Sequence, residues 1–380
     1  MTEHFFAPCG RGLSAVLAEE LNALGALTVQ AHEAGCSFSG PFELCYAVNL
    51  HSRIASRVLW RLTRLAYRTE DDIFNAALAL PWPTWFAVQR TIKVETNAQR
   101  CPLKSIDFIT LRIKDAVCDR FRNECGARPS VETQSPDVRI HAFLDATHAT
   151  IYLDTSGDAL FKRGKRDHAG AAPLKKNLAA GILKLSGWVP GQPLLDPMCG
   201  SGTFLIEAAE MALKRAPGRE RDFGFQKLTN FNAGAWNKLV TQARAAEIAA
   251  HQLPIYGSDL YGYALSDSKA NIAAMGLEGC VMLKQANVIE LSAPAPAGVL
   301  VTNPPYGERL GEQEDLAQLY PQLGDVLKRK FAGWNAYIFS ADTQLPKLIR
   351  LTASKRTPLF NGKLECRLYE YKIIAGSNRK

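Results

Sequence analysis

The 380 residues carry 45 lysines and arginines against 37 aspartates and glutamates, a formal charge of +8 with a pI near 9.0, and 47% of them are hydrophobic. That length allows two or three cores, and the positive surplus points to a polyanionic partner, although basic surfaces also occur on ordinary soluble enzymes. Nothing in the chain resembles a bilayer span or an export signal, and nine cysteines without a Cys-x-x-Cys pair and seven histidines complete no metal-ligand pattern, so a reduced cytoplasmic protein without a metal is expected.

In chain order, residues 4–7 read as a short strand, 9–12 as a turn, and 13–24 as a helix with Val16, Leu17, Leu21 and Leu24 on its apolar side. Strands are expected at 28–30, 37–39 and 44–48. Residues 52–67 read as a helix whose apolar face holds Ile54, Val58, Leu62 and Leu65, while Arg53, Arg57, Arg61, Arg64 and Arg68 recur every three or four positions. Such a row either contacts phosphates or is a solvated helix face, and the solvated face is the plainer reading. A helix at 71–80, the turn Pro81-Trp82-Pro83, a strand at 86–95 and a helix at 106–125 follow, with Ile109, Ile113, Val117 and Phe121 inward. Trp82 and Trp85 read as core packing. Strands at 137–144 and 150–154 close this part.

Most of the chemistry lies further on. Residues 194–209, LLDPMCGSGTFLIEAA, have the order of a buried strand, a glycine turn and a helix. The absence of Gly-Lys-Ser/Thr argues against a P-loop, and the missing third glycine argues against a dinucleotide turn. A carboxylate just before the glycines, Asp196, suits a cationic amino-acid group better than a pyrophosphate. Residues 298–310, GVLVTNPPYGERL, place Asn303-Pro304-Pro305-Tyr306 after a short apolar strand. The prolines stiffen the loop and remove donors, the Asn303 and Pro304 carbonyls form a pair of acceptors for one NH2 group, and Tyr306 offers a flat face to a planar substrate. Beyond these, 215–222 reads as a charged, insertion-like loop, 236–250, 265–275, 316–331 and 345–351 as helices, 334–340 as a strand, and 357–374 as a hairpin turning at Asn361-Gly362. Glu207 reads as structural.

The two motifs together resemble those of class I S-adenosylmethionine-dependent amino-methyltransferases. The resemblance implies a Rossmann-like α/β domain with a mixed seven-stranded sheet, and S-adenosylmethionine as cofactor, held by Pro173, Leu174, Asp196, Pro197, Cys199, Gly200, Ser201, Gly202, Thr203, Asp259, Asn287 and Asn303. Asp259 takes the ribose hydroxyls in that reading, and Asn287 stands near the adenine where the family usually has Asp. The front half, with the link Leu153-Asp154-Thr155-Ser156-Gly157 and then Leu160 to Arg166, resembles a THUMP RNA-binding domain behind an α+β ferredoxin-like partner. The implied domains are 1–66 (ferredoxin-like), 67–158 (THUMP), a basic linker at 159–176 and the methyltransferase at 177–380. In the linker, Lys162, Arg163, Lys165 and Arg166 are candidates for the RNA backbone, and a plain solvated linker is the alternative.

The resemblance as a whole is to bacterial THUMP methyltransferases of guanine N2 in 23S ribosomal RNA, a family often labelled as N6-adenine-specific DNA methylases. It implies direct transfer to a flipped base, with Asn303, Pro304, Pro305 and Tyr306 at the acceptor. Some relatives carry a second, fused methyltransferase, which this chain ends too soon to contain. Alternatives are a transfer RNA guanine-N2 enzyme, an adenine-N6 enzyme, a protein glutamine methyltransferase, or a non-catalytic RNA-binding factor. A covalent pyrimidine mechanism is disfavoured, because Cys199 lies in the cofactor turn and Cys366 in the final hairpin.

Overall fold

The structure is a computed structural model that describes residues 2–163, 174–305 and 312–374. The chain begins with β1 (Glu3–Pro8), α1 (Ser14–Ala23), β2 (Leu27–His32), β3 (Gly35–Gly40), α2 (Leu44–His51), β4 (Leu59–Ala66), α3 (Glu70–Ala79), α4 (Trp82–Trp85), β5 (Ile92–Ala98), α5 (Ile106–Cys125), β6 (Val138–Leu144) and β7 (His148–Asp154). It continues with α6 (Lys176–Leu185), β8 (Leu194–Asp196), α7 (Thr203–Ala212), α8 (Ala233–Ala245), β9 (Ile255–Asp259), α9 (Gly262–Ala274), β10 (Met282–Gln285), β11 (Gly298–Thr302), α10 (Glu312–Lys330), β12 (Trp334–Ser340), α11 (Leu345–Leu348), β13 (Lys355–Asn361) and β14 (Leu364–Lys372). Two compact units emerge. The first comprises Met1–Cys9, Leu17–Lys162 and Gly218–Gln242; the second comprises Gly10–Val16, Arg163–Pro217 and Ala243–Lys380.

The first unit holds one seven-stranded sheet, ordered β2-β3-β1-β4-β7-β6-β5, in which β5 and β6 run parallel and the other pairs antiparallel. β4 pairs with β1 on one side and β7 on the other, so the two front domains expected from sequence share this sheet. The long helix α5 starts where the Ser105 hydroxyl accepts the Phe108 N–H and stops at Gly126, whose φ of 69° suits glycine. Ile109, Ile113, Val117 and Phe121 are buried as their spacing predicts, and Trp82 is fully buried.

Three expectations for this unit are corrected. Residues 52–67 are not a helix: the Glu20 carboxylate accepts from Ser52 Oγ and from the backbone of Arg53 and Ile54, and the chain then extends into β4. Residues 44–48 are helical, within α2, and the strand expected at 86–95 begins only at Ile92, after the short helix α4.

Residues Gly218–Gln242, expected inside the methyltransferase domain, are part of the first unit. The Phe225 N–H donates to the Thr155 carbonyl at 2.9 Å, Arg221 donates to the Ala159 and Asp158 carbonyls, and Lys227 pairs with Asp137 at 2.9 Å. The Tyr46 ring is tilted at 31° to that of Phe225, with centroids 4.4 Å apart, and meets Phe231 and Trp236 edge-on. A side chain at Gly224 would put its β-carbon 2.7 Å from the Asp154 carbonyl, so this approach requires glycine.

The second unit is a mixed seven-stranded sheet, β10-β9-β8-β11-β12-β14-β13, with five parallel strands and an antiparallel hairpin at the end. Trp334, Ile338, Tyr320, Tyr369 and Tyr371 are among the buried side chains of its core. The chain moves outward from β8 through β9 to β10 and then crosses to β11 on the other side of β8. That reversal leaves a crevice at the carboxyl ends of β8 and β11, where open α/β sheets bind ligands.

Candidate active site

Both sequence motifs meet at that crevice. Val299 and Leu300 of β11 lie in register with Leu194 and Leu195 of β8, so the loop beginning Asn303-Pro304-Pro305 and the turn beginning Asp196-Pro197 leave adjacent strands on the same edge. Asn303 is half-buried, Pro304 buried and Pro305 exposed. Tyr306 lies outside the described residues, as do Pro173, Lys165 and Arg166.

The glycine turn is held from several directions. Gly200 and Gly202 have φ of 52° and 78°, conformations that L side chains rarely adopt. The Gly200 N–H donates to Asp259 Oδ2 at 2.9 Å, the other Asp259 oxygen accepts the Tyr261 N–H at 3.1 Å, and the Cys199 N–H donates to the Ser258 carbonyl at 2.9 Å. The Ser258 hydroxyl donates to the Pro197 carbonyl at 3.3 Å. Two residues that the sequence reading missed complete the turn. Ser268 Oγ donates to the Gly200 carbonyl at 2.5 Å, and Asn271 Nδ2 donates to the Ser201 carbonyl at 3.1 Å, both from α9. Their three-residue spacing on one helix face is the signal that would have found them.

Asp196 is 2% exposed, and among the described residues no cation pairs with it. Burial pushes its carboxyl up to about 7, and Asp259 nearby adds to that, against the Met198 N–H at 3.2 Å and the Thr302 hydroxyl, which favour the ionised form. A buried carboxylate of this kind is satisfied by a ligand's cation. S-adenosylmethionine, with a sulfonium and an ammonium group, fits that donor set: Asp196 for the cationic portion, the turn of Gly200, Ser201, Gly202 and Thr203 for close backbone approach, and Asp259 as acceptor for hydroxyls. Leu174 is buried just ahead of α6. Asn287 uses its Oδ1 to accept the Ile289 N–H at 3.2 Å, so what it offers a ligand is its NH2 donor.

Cys199 is 6% exposed, its Sγ lies 3.6 Å from Ser268 Oγ, and burial pushes its thiol well above the usual value. A thiol so buried and so raised is poorly suited to act as a nucleophile. Of the two linker candidates among the described residues, Arg163 contradicts the expectation. Its side chain is 2% exposed and grips the fully buried Glu207 of α7 through Nη2–Oε2 at 2.8 Å and Nε–Oε1 at 3.3 Å, so it is not presented to an RNA backbone. Lys176 is buried as well, with Nζ donating to the Arg163 carbonyl at 2.6 Å, whereas Lys162 is exposed. Among the described residues no cluster is suited to a metal ion, and no helix is long and apolar enough to cross a membrane.

Comparison with known proteins matches residues 163–370 to an RMKL-like methyltransferase domain, 67–154 to a THUMP domain and 4–59 to an RlmL ferredoxin-like domain. A Synechocystis sp. protein provisionally named as an RNA methyltransferase, slr0064, is 38% identical over 98% of this chain and 97% of its own length. The ribosomal RNA large subunit methyltransferase K/L of Syntrophotalea carbinolica is 41% identical over 97% of this chain, which spans about half, 53%, of that protein. The crystal structure of SMU.472, provisionally named a methyltransferase and solved with S-adenosylhomocysteine (SAH), superposes with a TM-score of 0.89 at 30% identity, covering 98% of both chains. The chain therefore belongs to the RMKL-like methyltransferase family, with THUMP and RlmL ferredoxin-like domains preceding its class I methyltransferase domain.

Proposed function

We propose that the chain transfers the methyl group of S-adenosylmethionine to the exocyclic N2 of a guanine in 23S ribosomal RNA. The observation that carries the reading is the adjacency of β8 and β11, which brings the Asp196 turn and the Asn303-Pro304 acceptors to one edge of the sheet. The names of the K/L relatives support a large-subunit RNA substrate, and the THUMP match supports an RNA partner.

S-adenosylmethionine supplies an already activated methyl group, so no strong general base is required. The protein's part is alignment. Asn303 Oδ1 and the Pro304 carbonyl accept the two N–H bonds of the exocyclic amine, which turns its lone pair out of the ring's conjugation. The amine nitrogen gains its bond to the methyl carbon as that carbon's bond to sulfur breaks; one proton leaves for solvent and S-adenosylhomocysteine is the other product. The guanine is flipped from its stack to reach these acceptors, an unstacking that costs a few kcal/mol. Asp196 and Asp259 hold the cofactor and take no proton from the substrate.

Nucleoside mass spectrometry with methyl-labelled cofactor tests this on ribosomal RNA, transfer RNA and DNA. Label in N2-methylguanosine of large-subunit RNA, lost in Asn303→Ala, is the expected result. Label in transfer RNA, or in N6-methyladenine, overturns the substrate assignment while leaving the methyltransferase intact.

A further inference from the structure

Four of the five arginines that read as a helical row separate into two groups in the structure. Arg57 is internal, paired with Asp154 and donating to the Gly157 carbonyl, and Arg53 is buried. Arg61 and Arg64 are on β4. In a regular strand, residues three apart point to opposite faces. Here the register shifts between Arg61 and Thr63, so Arg61 faces Tyr152 and Arg64 faces Thr150, two positions that share one face of β7. The extra residue, Leu62, thus places both guanidinium groups on the same side of the sheet.

That side carries an open depression of about 620 Å³ within the first unit, lined by Arg61 and Arg64 together with His4, His148 and Glu3. Both arginine charges act on the Tyr152 phenol, whose ring lies 6.4 Å from that of Phe6. The arginines are weakly committed. Among the described residues Arg61 has no carboxylate within ion-pair distance, and the Arg64–Asp145 pair is 3.9 Å apart with side chains 52% and 40% exposed, a geometry that holds little energy. Glu3, the one acid in the lining, already accepts the Trp60 indole N–H at 2.9 Å.

We propose that this depression is a binding site for a phosphodiester of the RNA backbone, held by Arg61 and Arg64 on the bulged strand. The inference rests on the RNA reading of the function. The bulge selects the pair, the depression admits the ligand, and the two guanidinium groups supply fork-shaped donors that suit phosphate oxygens.

The test is filter binding of labelled, deproteinised large-subunit ribosomal RNA to the full chain across a salt series. Arg61→Gln/Arg64→Gln is compared with wild type and with Lys114→Gln/Arg122→Gln, which removes the same charge from α5. Each lost phosphate contact lowers the slope of log affinity against log salt by about 0.7–0.9. The glutamine pair on β4, which removes the one proposed phosphate contact, is therefore expected to flatten the slope by about 0.7–0.9 and to weaken binding at least about fivefold at low salt, while the α5 control stays near wild type. Arg61→Lys/Arg64→Lys keeps the charge and is expected to keep the slope. A β4 pair that behaves as the α5 control overturns the site and leaves the RNA reading standing. An equal loss of slope in the lysine pair, which keeps both charges, shows that charge at this site does not carry the binding and also overturns it. Wild-type chain that binds this RNA without salt dependence overturns the site and the RNA reading together.

Discussion

Two aspartates, one in each unit, end strands and are almost fully buried: Asp154 of β7 at 3% exposure and Asp196 of β8 at 2%. Their surroundings differ in one respect. For Asp154 burial alone would raise the carboxyl, but the His141 hydrogen bond at 3.3 Å, the Arg57 charge and the Ser156 N–H at 2.8 Å outweigh it and hold the group below the usual carboxylate value. Among the described residues Asp196 has no such cation, and burial pushes it up to about 7. A buried carboxylate whose cation comes from the chain supports the fold; one with no cation among the described residues is a candidate partner for a cationic ligand.

The sharpest way to break this contrast is Asp196→Asn. Removal of the carboxylate is expected to weaken SAH binding by on the order of 100-fold or more, as loss of one member of a buried charged pair does, with no loss of thermal stability in the ligand-free protein. Calorimetric titration together with a melting curve measures both. Asp154→Asn should do the reverse: SAH affinity within about twofold of wild type, and a loss of about 2–4 kcal/mol in the first unit, at the lower part of the range for broken buried pairs because the Arg57 side chain is 21% exposed.

Smaller effects follow from pH. SAH affinity should rise between about pH 6 and pH 8 as Asp196 ionises, by at most about tenfold per pH unit below its value near 7, and the step should vanish in Asp196→Asn. The folding contributions of the two groups have opposite signs. Asp196 keeps its proton longer in the native state than in the unfolded chain, so its contribution to ligand-free stability declines from about pH 4 to about pH 7. Asp154, with a depressed native value, contributes stability above about pH 4 that is lost as the pH falls through that native value. The smallest effect is expected from Cys199→Ala: methyl transfer within about threefold of wild type, because burial raises the thiol and disfavours the thiolate that a covalent step needs. An inactive variant with normal SAH affinity would reopen the covalent pathway.

The site was far more legible than the front fold, for a physical reason. Asp196, Gly200, Gly202, Asp259 and Asn303 stand at strand ends or in the turns just after them, where residue type alone marks a candidate position, and the fold brings them to one edge of the sheet. Ser268 and Asn271 support the turn from another element; their three-residue spacing marks a shared helix face but not the loop which that face meets. In β4 a bulge interrupts the alternation of two, so Leu62 and Leu65 fall at a helix-like spacing and the strand reads as a helix. Residues 44–48 form a short apolar run, which periodicity cannot assign to helix or strand. Arg163 looked like any other cation of a basic linker until Glu207 was found beside it.

The sequence by itself determined the methyltransferase half: the order of strand, glycine turn and helix, the Asn-Pro-Pro loop, and the terminal hairpin all follow from backbone requirements of neighbouring residues. Tertiary structure alone decided which cations are internal, that residues Gly218–Gln242 complete the first unit, and that Arg61 and Arg64 share a face. Those outcomes depend on partners distant in the chain, through ion pairing, aromatic packing and strand register, and no local preference encodes them.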